Sequence, residues 1–225
     1  MDTSYDLDEL TRRTRRKEFE DGLRDFQMAA LILMYGLLVW AVFSPVVLRL
    51  FIKTLLLDQS IAIVGFIGFV ALIILVAFGA ERLMARFRRA TLWKDSGFVR
   101  PLRWTVNRWI TLLATLILLA IIIGSTWLMV RGVLNQEEAL RAIPVGASLS
   151  TAFIFFAMGF SLEIRRYRWV GLAGAILSFI LLFPKISFSQ TWLWLSVGWA
   201  VILTTSGGWA LSKALQEIQE GSADE

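Results

Sequence analysis

The chain has 225 residues, 57% hydrophobic and only 18% charged, with a net charge of +5 and neither cysteine nor histidine. Soluble domains carry roughly a quarter charged residues, and a water-soluble fold of this size exposes too much surface to hide so many apolar side chains. The missing residue types exclude disulfides, thiol nucleophiles, imidazole acid–base chemistry, histidine-ligated haem and most zinc sites. The basic excess reads as the cytoplasmic-loop bias of a membrane protein, not as a nucleic-acid surface.

In chain order, residues 1–25 read as a cytoplasmic amphipathic helix. Leu7, Leu10, Phe19, Leu23 and Phe26 recur at helical spacing, and opposite charges sit four apart, as in Arg16 with Glu20 and Lys17 with Asp21. Such a helix either docks on anionic lipid or a partner, or is a solvated lead-in to the first span. The acidic start, with Asp2, Asp6, Asp8 and Glu9, does not read as a signal peptide.

Six uncharged blocks follow, at 26–48, 61–80, 109–130, 142–162, 169–183 and 186–212. A helix rising about 1.5 Å per residue needs around 20 residues to cross the hydrocarbon. The expected fold is therefore all-α, a polytopic bundle of six transmembrane helices over 26–212. The spans fall at about 26–50, 60–80, 107–130, 143–163, 167–184 and 190–212, with a polar cytoplasmic tail at 213–225 that frays. The fifth block holds 15 residues and is short. It either borrows Tyr167 and Arg168, with its arginines snorkelling, or forms a re-entrant segment with the sixth.

With the N-terminus inside, 18 of the 23 Lys and Arg lie in cytoplasmic segments. Both termini are then expected in the cytoplasm of a cell with this protein in its plasma or inner membrane. Trp104, Trp109, Trp169 and Trp209 fall near inner span ends, and Trp127, Trp192 and Trp194 near outer ends, where indole is favoured. The spans pair as three hairpins whose second helices end alike, at 77–89, 157–169 and 205–217. That pattern fits a triplicated hairpin, and it equally fits ordinary helix exits.

Candidate sites are sparse. Arg82, Arg86, Arg88 and Arg89 lie on the second span's cytoplasmic continuation, which is expected to run helical to about Lys94. They either contact a cytoplasmic partner or anchor topology. Ser44-Pro45 should kink the first span. Thr204, Thr205, Ser206, Gly207 and Gly208 form either a hinge or a close-packing surface, with Gly65 and Gly171 as further packing positions. Ser125, Thr126, Ser148, Ser150, Thr151 and Ser178 either line a shallow outward pocket or satisfy themselves on the preceding turn.

No charge falls inside a block, which argues against a proton-coupled antiporter, voltage sensor or carboxylate-lined pore. No His-Glu-x-x-His, Gly-x-Ser-x-Gly or Walker-type loop occurs, so no catalytic, cofactor or metal residue is expected. Ser187 beside Lys185 is too weak a signal for a dyad. Two functions remain. One is a membrane-embedded subunit of a transport or export assembly for a lipid-like or neutral substrate, paired with a cytoplasmic ATPase. The other is a non-transporting scaffold or sensor that holds a cytoplasmic regulator.

Overall fold

A backbone that cannot reach water satisfies its N–H and C=O groups most simply by forming a helix. The computed structural model describes residues 19–57, 59–92, 108–183 and 185–221, and among these it contains helices and no strand. In order they are α1 (Leu23–Phe43), α2 (Pro45–Leu57), α3 (Gln59–Phe87), α4 (Arg108–Val130), α5 (Gln136–Ser161), α6 (Arg165–Ile180) and α7 (Phe188–Gly221). A π-helical turn over Arg88–Leu92 prolongs α3. Among the described residues, three helices, α1, α4 and α5, are long and apolar enough to cross a membrane.

Four boundaries differ from the sequence expectation, each for a local reason. The lead-in helix does not run through to residue 25. Phe19 and Glu20 are helical, the chain turns at Asp21, and Gly22 takes a left-handed conformation (φ 75°) before α1 begins. Residues 1–18 lie outside the described part. The first block is broken, not kinked: Ser44 is extended (ψ 123°), and Pro45, without an N–H, starts a separate helix. The span expected to reach residue 50 thus ends at Phe43, and Arg49 and Lys53 lie exposed on α2.

α5 begins ahead of its uncharged block because Asn135 and Glu138 form a capping box. The Glu138 N–H donates to the Asn135 side chain (2.8 Å), and the Asn135 N–H donates to the Glu138 carboxylate (2.9 Å). Finally, α7 continues unbroken to Gly221, through most of the tail that was expected to fray.

Between apolar helices in lipid, association rests on close van der Waals fit and polar contacts, since lipid tails are as apolar as leucine. The bundle is built that way around α7. α1 lies along α7, α5 packs on α4 and α6, and α5 and α6 both touch α7. A Cβ at Gly36 would overlap Ser196 of α7, and one at Gly174 of α6 would overlap the Trp199 ring. A Cβ at Gly171 would sit 2.7 Å from the Ala152 carbonyl oxygen of α5. Gly65 differs: it faces open space instead of a helix.

A polar seam crosses this core. The Trp199 indole N–H donates to the Ser148 hydroxyl (2.8 Å), which lies 2.6 Å from the Ser178 hydroxyl. Ser178 donates to the Gly174 carbonyl (2.7 Å), so the Ser148 proton points at Ser178 and every donor is used. The other hydroxyls of the expected outward pocket turn inward on their own helices. Ser125 and Thr126 donate to the Ile122 carbonyl, and Thr151 donates to that of Ala147. Ser150 is buried with no partner for its hydroxyl among the described residues. Ser148→Ala should lower stability by about 1–3 kcal/mol, because it strands the buried indole N–H. An unchanged thermal midpoint in detergent would show that the seam holds nothing together.

Candidate functional site: a buried ion network at one end of the bundle

The sequence has no charge inside an apolar block, yet the structure buries Asp21, Asp25 and Arg88 where helices meet and leaves the Arg166 side chain only 10% exposed. Asp25 lies in the first turn of α1, one residue before the first block, and is 0% exposed. It is placed there by the Gly22 turn, whose backbone lies directly against Gly207 of α7. Position on α1 helps it: a carboxylate near a helix N-terminus meets the positive end of the macrodipole.

Three side chains from two other helices converge on Asp25. The Tyr167 hydroxyl donates to Oδ1 (2.6 Å), the Ser206 hydroxyl donates to Oδ2 (3.2 Å), and an Arg166 Nη1 sits 3.3 Å from Oδ2. Arg166 also donates to the Phe19 carbonyl and to the Ser206 carbonyl (3.4 Å). An arginine in the first turn of a helix opposes the dipole, so Arg166 sits at the head of α6 for its partner's sake. Its Nε is buried without a hydrogen-bond partner among the described residues.

A second ion pair adjoins the first. Arg88 donates through Nε and Nη2 to the two oxygens of Asp21 (2.5 and 2.9 Å), and both side chains are 5% exposed. Asp21 also accepts from the Leu23 N–H (3.0 Å), so it caps α1 while gripping α3's continuation. The two-pronged geometry suits guanidinium and carboxylate, and the pair needs it to offset the desolvation of two charges.

Aromatic rings tie the network to the seam. Trp199 stacks on Phe155 (5.4 Å between centroids), Phe155 meets Tyr167 (5.6 Å), and Tyr167 meets Phe19 edge-on (6.0 Å). Phe19, read from sequence as part of an amphipathic face, is instead a core side chain.

Of the candidates read from sequence, Ser206 and Gly207 belong to this site, Ser206 as a donor and Gly207 as the surface for the Gly22 turn. Thr204 and Thr205 point away and donate to carbonyls of their own helix. Gly208 comes near only the Phe26 ring. α7 is continuous across this run. Ser44 and Pro45 stand apart, at the other end of α1.

Among the arginines, Arg88 is not available to a partner, because it is buried on Asp21. Arg82 and Arg86 are exposed, and Arg89 lies in the π-helical turn. Asp21, Asp25 and Tyr167 were missed as site residues. The readable signal was an acid one residue outside an apolar block, opposite an Arg-Arg-Tyr-Arg run at the head of another.

Chemically, the cluster is closed. Asp25 has two hydroxyl donors and an ion-pair partner, and no group of three or more potential metal ligands occurs among the described residues. Its contacts join α1 to α6 and α7. No family model, no curated protein and no solved structure matches the chain.

Proposed function

We propose that the chain is a six-span integral membrane protein with both termini in the cytoplasm of the cell, and that it acts as a non-enzymatic scaffold holding a cytoplasmic partner. One observation carries the topology. Asp21, Arg88, Arg166 and Ser206 meet at one end of the bundle. Between each successive pair the chain leaves and returns on two long helices: α1 with α3, then α4 with α5, then α6 with α7. That is the pattern of three hairpins opening on one side.

The placement of tryptophan agrees. Trp109, Trp169 and Trp209 are exposed towards the ion-network end, and Trp127 and Trp194 are exposed towards the other. The α6 helix, 16 residues or about 24 Å, crosses where the bilayer thins around it, with its arginines snorkelling to the headgroups.

The scaffold reading rests on what the network does. It fixes where the chain emerges at Phe19 and binds that point to the basic end of α3. The buried polar groups of Asp25, Tyr167, Ser206, Ser148 and Ser178 pair with one another. A second reading, a subunit of a lipid-exporting or neutral-solute assembly with an ATPase partner, draws on one feature. An open groove of about 430 Å³ runs along α4, lined by Arg108, Thr111, Leu112, Thr115 and Leu116. A cation at the headgroup level above apolar and hydroxyl positions suits an amphiphile.

Purification in a gentle detergent, with identification of bound proteins and lipids, separates these readings. A regulator that is lost on charge reversal at Arg82 and Arg86 supports the scaffold. A co-purifying ATPase with bound lipid supports the transport subunit. Reporter fusions that place residue 88 and the C-terminus on opposite sides would overturn the topology on which both rest.

A further inference from the structure

We infer that α2 and α3 form a hinged arm that is latched to the bundle by the Asp21–Arg88 ion pair. The rest of the molecule is tightly joined. α1 meets α7 at Gly22 and Gly36 with no room for a Cβ, and α5, α6 and α7 share the seam and the aromatic chain. The arm is joined differently. α3 has 29 residues, about 44 Å of helix, and packs on α1 and α2 far less extensively than α1 packs on α7.

The glycines of α3 show the same looseness. Gly65, Gly68 and Gly79 have no neighbouring atom where a Cβ would point, whereas Gly22, Gly36, Gly171 and Gly174 are used for close approach. Ile63, Val64, Ile67 and Leu75 are exposed along its length.

The two ends of the arm have opposite characters. At one end the helix is interrupted at Ser44, extended and followed by proline, where the backbone can bend without breaking a helical hydrogen-bond ladder. At the other end, Arg88 is gripped by both oxygens of a buried carboxylate on the fixed core. A hinge at one end and a strong, directional contact at the other define a latch. When the pair parts, α3 swings from α1 and uncovers the flank of α1 to the bilayer. The pair joins the emerging chain at residue 21 to the cytoplasmic end of α3, so a partner that pulls on either segment would act on it.

The absence of cysteine makes the test direct. Spin labels go on Leu83→Cys of α3 and Trp209→Cys of α7, both exposed, in the full chain in lipid nanodiscs. A second pair, Ile176→Cys on α6 and Val201→Cys on α7, reports on the core. Electron–electron distance measurements should give one narrow distribution for each pair in the parent. Asp21→Asn and Arg88→Gln should lengthen and broaden the α3–α7 distribution and leave the core pair alone. The exchange Asp21→Arg with Arg88→Asp should narrow it again. Arg88→Lys, the mildest change, keeps the charge and loses the two-pronged geometry, so it should broaden the α3–α7 distribution while the protein stays folded. An α3–α7 distribution identical to the parent in these variants, or equal broadening of the core pair, overturns the latch.

Discussion

Arg166→Leu should destabilise the protein by about 3–5 kcal/mol, the usual consequence of leaving one member of a buried ion pair without its partner. Asp25 would remain fully buried with only two hydroxyl donors, and the Phe19 carbonyl would lose its guanidinium. Asp25→Asn should cost less, because a neutral amide tolerates burial better than a bare charge. The double variant Asp25→Asn with Arg166→Leu should be more stable than the sum of the single losses predicts, since the orphaned charge is gone. Thermal unfolding in detergent, followed by helical circular dichroism, reads all three. If Arg166→Leu unfolds at the parental temperature, the network does not hold the bundle together.

Gly22→Val should be comparably severe through a different cause. Gly22 has φ 75°, a region that a β-branched residue adopts only under strain. A Cβ there would also overlap the Gly207 carbonyl, which is backbone and cannot rotate aside. Overpacking alone costs about 1–3 kcal/mol, and the strained dihedral adds roughly 1–2. The turn would move, carrying Asp21 and Asp25 away from their arginines. Gly65→Val is the matched control, because open space surrounds that position. Equal losses at the two sites would show that the Gly22–Gly207 contact carries no special weight.

The long-range half of the site was hidden from the sequence for a physical reason. Apolar runs announce helices by themselves, and Ser44-Pro45 announces a break through the missing N–H, whatever the rest of the chain does. Asn135 and Glu138 likewise advertise a helix start, seven residues ahead of the uncharged block at 142. A buried ion pair leaves no such trace. Asp25 sits at the margin of a block, where a carboxylate can equally reach water, and its partners Tyr167 and Ser206 are 142 and 181 residues away on helices that must first assemble. Arg88 looked like one member of a basic stripe with Arg82, Arg86 and Arg89. Only the position of Asp21 after the Gly22 turn singles it out. In Thr204–Gly208, the small residues signalled a surface but not which backbone it would receive.

The length of α7 has a consequence of its own. From Ser206, at the level of the ion network, the helix runs on without a break to Gly221, roughly 22 Å further at 1.5 Å per residue. It is a stiff mast rooted in the centre of the protein, touching α1, α5 and α6. A few degrees of tilt at its foot would displace its tip by ångströms, so a small shift among the packed helices is enlarged by lever action at the far end of the rod.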